Sequence, residues 1–127
     1  MNSPSHLLDT NICIGLLAGE LPTAREKMEA LVPGQIVTSA IVLSEVLIGL
    51  KKQGISSEGS SLFALAPVLP FDEAAARAYA GLPFRRGNFD RLIAAHALSL
   101  KVTLVTGNTR DFADVPGLRL EDWTQLL

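Results

Sequence analysis

Residues 88–106 read Asn88-Phe89-Asp90-Arg91-Leu92-Ile93-Ala94-Ala95-His96-Ala97-Leu98-Ser99-Leu100-Lys101-Val102-Thr103-Leu104-Val105-Thr106. Asn88 to Lys101 predicts a helix, with Ile93, Ala94 and Ala97 on one face. Val102 to Thr106 follows at once as a run of β-branched and apolar residues, the clearest strand in the chain. The same alternation extends outward. His6-Leu7-Leu8 is a short apolar run that stops at Asp9, and Asn11 to Ala18 continues as a helix closed by Gly19. Pro22 to Leu31 has helical spacing, Gln35 to Thr38 reads as a strand, and Ser39 caps a helix from Ala40 to Lys52 with Lys51 and Lys52 in its last turn. Gln53 to Ser61 is small and polar, a surface loop. Pro67 to Phe71 is extended, and Asp72 opens a further helix. Leu118 to Leu120 is a short last strand, with a helical turn or two expected over Glu121 to Leu127. Strand alternating with helix predicts an α/β sandwich whose central sheet is mostly parallel and flanked by helices. Ligands of such sheets sit beyond the carboxyl ends of the strands.

The chain has 127 residues, which predicts a single domain over residues 1–127. One cysteine, Cys13, excludes an internal disulfide framework and a zinc finger. No apolar run reaches the length of about 18 residues that a membrane span needs. The opening MNSPSHLLDT lacks the basic and apolar regions of a signal peptide, so the expected location is cytoplasmic, without a membrane or disulfide partner. A net charge of −2 argues against a broad electrostatic binder of nucleic acid. With 6% aromatic residues, a base-stacking platform is not expected.

Carboxylates stand inside the most apolar stretches. Asp9 follows Leu7-Leu8, and Asp90 precedes Leu92-Ile93-Ala94-Ala95. Glu45 has Ile41, Val42, Ile48 and Gly49 one helical turn away, so it lies on no solvated stripe. Asp111 follows the strand Val102 to Thr106 after a short turn. A buried carboxylate needs a cation, hydrogen-bond donors or a metal ion. Each acid also has a plain structural reading: Asp9 as a helix cap, Asp90 as a first-turn acid, Glu45 in a salt bridge, Asp111 as a turn residue. Together they fall where an α/β fold places its site. An all-oxygen donor set suits Mg²⁺ or Mn²⁺ better than zinc. His96, six residues beyond Asp90, is read as a packing or hydrogen-bonding residue. Cys13 is read as a small buried hydrophobe, and Trp123 as an anchor at the edge of the core.

The constellation resembles the PIN-domain ribonucleases, most closely the VapC-type toxins of bacterial toxin–antitoxin pairs. Leu8-Asp9-Thr10-Asn11 is similar to the family's opening motif, and SAIVLSEVLIG (residues 39–49) to its glutamate helix. FDRLIAAHA (89–97) is similar to the central aspartate motif. LVTGNTRDF (104–112) is similar to the closing motif, followed by Val115-Pro116-Gly117-Leu118 and Glu121-Asp122-Trp123. The resemblance implies a PIN-like three-layer sandwich and a metal-dependent endoribonuclease. It implies Asp9, Glu45 and Asp90 as the acidic triad, with Asp9 and Asp90 as direct Mg²⁺ or Mn²⁺ ligands. Many relatives carry an acid where Asn108 stands or three residues on, so Asp111 is taken as the fourth carboxylate. Glu45 and Asp111 then act through water, with Thr10, Asn11, Thr106 and Asn108 as supporting polar groups. The connection from Gly81 to Gly87 is shorter than the arm many relatives carry there, which bears on the shape of the substrate groove.

RNA approaching an acidic pocket needs a basic rim. Lys51, Lys52, Arg85, Arg86, Arg91 and Arg110 are the candidates, with Arg91 or Arg110 alternatively pairing with an acid of the site. The resemblance also implies a VapB-type antitoxin as partner, and a homodimer. Two other readings compete. One is a non-catalytic PIN-fold interaction module. The other is a phospho-receiver domain, which wants an acid pair after the first strand and a lysine after the last. Here Thr10 follows Asp9, and Lys101 precedes its strand.

Overall fold

The computed structural model describes residues 3–54, 60–83 and 88–125. Five strands form one sheet: β1 (His6–Leu8), β2 (Ile36–Ser39), β3 (Val68–Leu69), β4 (Thr103–Val105) and β5 (Leu120–Glu121). Their order is β3-β2-β1-β4-β5, and every pairing is parallel. The central strand β1 pairs Leu7 with Val37 on one side and with Leu104 on the other. The helices are α1 (Thr10–Leu17), α2 (Pro22–Ala30), α3 (Ala40–Lys52), α4 (Ser60–Leu65), α5 (Glu73–Ala80) and α6 (Phe89–Leu100). A 3-10 turn spans Thr109–Phe112.

A parallel strand covered on both faces must be apolar on both, and Leu7, Leu8, Leu104 and Val105 are fully buried. Ile12 and Cys13 of α1, Val42 and Val46 of α3, and Ile93, Ala94 and Ala97 of α6 close over the sheet. The expected caps form: Ser39 Oγ accepts from Ile41 N–H at 3.0 Å, and Asp72 accepts from Ala75 N–H at 3.0 Å. At the end of α6, Lys101 takes a left-handed conformation (φ 59°), which turns the chain sharply into β4. Among the described residues, no helix is long and apolar enough to cross a membrane.

Two expectations fail. The loop read over Gln53 to Ser61 ends early, because Ser60 and Ser61 begin α4; residues 55–59 lie outside the described residues. That helix is too short to show a period, and it is held by burying Leu62, with Ala66 just beyond its end, in the core. The helical turn expected over Glu121 to Leu127 is absent from the described residues. Glu121 completes β5, and the Asp122 carboxylate then takes Thr124 N–H at 2.8 Å. An aspartate that bonds the backbone two residues on makes a turn that competes with helix. Trp123 is buried there, with its indole N–H on Glu121 Oε1 at 2.8 Å and its ring 5.4 Å from His6.

Candidate functional site

The carboxyl ends of β1 and β4 are adjacent, and each delivers one polar residue to the same place. Asp9 ends β1 and caps α1. Its Oδ1 accepts from Thr10 N–H at 2.8 Å, and its Oδ2 accepts from the Thr106 hydroxyl at 2.8 Å. Thr106 ends β4, and its oxygen in turn accepts from Asn108 N–H at 3.0 Å. The backbone closes the same joint: Asp9 N–H donates to Val105 carbonyl, and Thr106 N–H to Glu121 carbonyl. Asp9 is 3% exposed and Thr106 is fully buried, so both are held rigidly.

Glu45 reaches this point from α3. The Thr10 hydroxyl donates to Glu45 Oε1 at 2.6 Å, so one threonine links the acid that caps α1 to the acid carried by α3. Asp90 enters from the first turn of α6, where Asn88 Oδ1 accepts its backbone N–H at 2.8 Å. Asp111 comes from the 3-10 turn and is exposed. Asp90 and Asp111 line one open cleft of about 460 Å³ with Asn88, Arg110, Ala113 and Asp114.

The electrostatics join the four acids. Asp90 is pushed up to about 6, first by burial and then by the charges of Asp9, Glu45 and Asp111, with Arg91 opposing. Burial also raises Asp9; its bonds from Thr106 and Thr10 oppose this, and Glu45 and Asp111 add to it. Four carboxylates that feel one another carry a penalty that a divalent cation removes. Among the described residues, no three acid, histidine or cysteine side chains already stand close enough to enclose an ion. The all-oxygen donor set nonetheless fits a hard ion that keeps several waters.

The other predicted residues divide. Thr10 is bonded into the cluster. Asn11 is exposed without a hydrogen bond among the described residues, and Asn108 enters through its backbone while its side chain caps nothing. Arg110 is exposed on the cleft. Lys51 and Lys52 are exposed, but α3 carries them six and seven residues past Glu45, about 10 Å along the helix axis and away from the strand ends. Arg85 and Arg86 lie outside the described residues. Arg91 is corrected: it is 2% exposed and pairs with Asp114 at 2.6 Å, so it is no part of a solvent-facing rim. Asp114 was missed, since an acid in a polar turn carries no signal in sequence.

His96 is buried as expected. Its Nδ1 is 2.8 Å from Ser39 Oγ, and its ring meets Phe71 edge-on at 5.6 Å. Burial pushes its pKa down, opposed by Asp72. Cys13 is fully buried, with its thiol pushed up to about 12.

Sequence and structure comparisons relate the chain and its fold to known proteins. The PIN domain pattern matches residues 6–118. The chain is 35% identical to a Shigella flexneri protein named tRNA(fMet)-specific endonuclease VapC, over 93% of this chain and 97% of that one. It is 30% identical to Ribonuclease VapC2 of Rickettsia felis, over 93% and 97%. Among solved structures, a chain of VapBC2 from Rickettsia felis bound to a promoter DNA fragment superposes with a TM-score of 0.81 at 29% identity, covering 93% of this chain and 98% of that one. A chain of DNA-bound VapBC from Salmonella typhimurium gives 0.79 at 30% identity, covering 94% and 98%. With a matching family pattern, full-length relatives and a shared all-parallel sheet, the chain belongs to the PIN domain family.

Proposed function

We infer that this chain is an endoribonuclease of the VapC type, the toxin of a toxin–antitoxin pair, and that residues 1–127 act as one nuclease domain. The observation that carries the reading is the joining of Asp9 and Glu45 through Thr10 at the carboxyl end of β1, with Asp90 and Asp111 lining one cleft and the charges of Asp9, Glu45 and Asp111 acting on Asp90. The named ribonuclease relatives and the VapBC complexes support it.

In this reading Asp9 and Asp90 hold Mg²⁺ or Mn²⁺ directly, and Glu45 and Asp111 hold it through water. A bound ion of this kind polarises a phosphoryl oxygen and lowers the pKa of a coordinated water. The chain supplies the rest. Thr106 and the Thr10 N–H fix both oxygens of Asp9, so its lone pairs meet the ion in one orientation. The Thr10 hydroxyl occupies one oxygen of Glu45 and leaves the other for a water. Asp111, exposed on the cleft, orients a water next to the scissile phosphate, and Arg110, beside it in the same turn, takes a neighbouring phosphate.

The surface supports the partner assignments. Leu16, Leu17, Met28, Leu62 and Leu65, together with Arg25, Glu29 and Ser61, line a groove of about 590 Å³ between α1, α2 and α4, and Leu65 is 67% exposed. We assign this groove to an amphipathic segment of a VapB-type antitoxin. Leu47 and Ile48 of α3 are half exposed, the face we assign to a second copy of the chain. An RNA substrate and an antitoxin partner, as the named relatives and VapBC complexes suggest, place the protein in the cytoplasm in this reading.

The test is cleavage of RNA by the purified chain with Mg²⁺ or Mn²⁺, beginning with initiator tRNA because the Shigella relative is named for it. Asp9→Asn and Asp90→Asn should each abolish metal-dependent cleavage. Equal cleavage by either variant sinks the reading and leaves the non-catalytic module as the account of the fold.

A further inference from the structure

Arg91 is the residue after Asp90, on the same first turn of α6. Its charge already acts on the Asp90 carboxyl, yet it makes its ion pair elsewhere: Nη2 donates to Asp114 Oδ2 at 2.6 Å. The guanidinium is almost wholly buried, whereas Asp114 is partly exposed at the wall of the cleft that Asp90 and Asp111 share. Nη1 is buried without a hydrogen-bond partner among the described residues. A buried guanidinium with an unused nitrogen gains free energy from a second carboxylate. The site acid that its charge reaches is Asp90, which shares its cleft with Asp111. An arginine fork is the natural competitor of a divalent cation for such acids, because it brings positive charge and matches carboxylate geometry in one group.

We propose that Asp114 is a positioning residue that draws Arg91 away from the acid cluster, keeping Asp90 and Asp111 free for a cation. This rests on the metal-nuclease reading and adds to it a built-in rival to the metal, held in check by one counter-ion outside the cluster. The pair also joins α6 to the segment behind the 3-10 turn, so a purely mechanical brace is the alternative, and the two roles give opposite results when Arg91 is removed.

The experiment measures Mn²⁺ affinity of the purified chain by electron paramagnetic resonance of the free ion, with circular dichroism as the check on folding. Asp114→Asn releases Arg91 toward the acids and should weaken Mn²⁺ binding by about 10-fold or more, the range seen when groups orienting a metal ligand are lost. Arg91→Met alone should bind Mn²⁺ at least as tightly as the parent, and Arg91→Met with Asp114→Asn should return to within about threefold of it. Unchanged affinity in Asp114→Asn overturns the proposal. So does a loss in Arg91→Met as large as in Asp114→Asn, which would make the pair a brace; this arm decides the matter even if Asp114→Asn does not fold. Failure of the parent itself to bind Mn²⁺ would sink the nuclease reading and this inference with it, whereas a binding parent isolates the role of Asp114.

Discussion

Thr10 stands between the acid that caps α1 and an acid inside α3: its backbone N–H donates to Asp9 at 2.8 Å and its hydroxyl to Glu45 at 2.6 Å. Asp9 and Glu45 are 36 positions apart in the chain, and this one residue sets their relation. Thr10→Val keeps the shape of the side chain and removes the hydroxyl. Metal affinity and cleavage rate should fall by about 10- to 100-fold, while Thr10→Ser should retain most of both. Mn²⁺ binding and cleavage measured side by side on the two variants check this. Equal behaviour of Thr10→Val and the parent would show that Glu45 needs no such support.

The acid cluster costs stability in the metal-free protein. Asp90 is raised from 3.8 to about 6, so the folded chain binds its proton more tightly than the unfolded chain. The penalty is therefore fully present above pH 6 and is relieved as pH falls from about 6 toward 4. Asp90→Asn should stabilise the metal-free protein at pH 7 by on the order of 1 kcal/mol, allowing for solvent screening of a half-exposed group. At pH 4 the gain should vanish. Thermal melts of parent and variant at the two pH values read the difference directly.

His96 should give the opposite slope. Burial lowers its pKa, so the folded state holds it neutral. Its contribution is complete above the unfolded value of 6.5 and is lost as pH falls from there toward the folded value, where the unfolded chain takes up a proton the folded chain refuses. His96→Gln should flatten that part of the stability profile and keep a partner for Ser39. Urea melts between pH 5 and 7.5 on both proteins provide the comparison.

Leu65 is the most exposed large apolar side chain described, and it stands in the groove between α2 and α4. Leu65→Asp should leave Mn²⁺-dependent cleavage intact and weaken capture by an amphipathic antitoxin segment by about 10-fold or more, the usual loss for a buried interface anchor. Titration calorimetry with the cognate antitoxin, alongside a cleavage assay, separates the two effects. Undiminished capture would place the antitoxin elsewhere.

Much of this molecule was legible in its sequence because the deciding terms are local. Ser39 and Asp72 cap helices through their own backbone neighbours. The apolar strands Leu7-Leu8 and Thr103–Val105 could lie only in a sheet covered on both faces. Glu45, with no polar neighbour on its helical face, had to meet something beyond that helix. Where the outcome depended on distant partners, the sequence was silent or misleading. Arg91 read as a rim residue or as the partner of a site acid, and only Asp114, 23 positions on, decided for an ion pair that holds it inside. Lys51 and Lys52 read the same way, but the direction of α3 carries them from the site. The short helix α4 had no period to show, because its burial against the core, and not its propensity, holds it. Spacing and local hydrogen bonding thus determined the α/β alternation and the unusual placing of the acids. Tertiary structure alone decided which charges meet, because ion pairs and repulsions act through space, and the distance between two side chains is fixed only when the sheet has assembled.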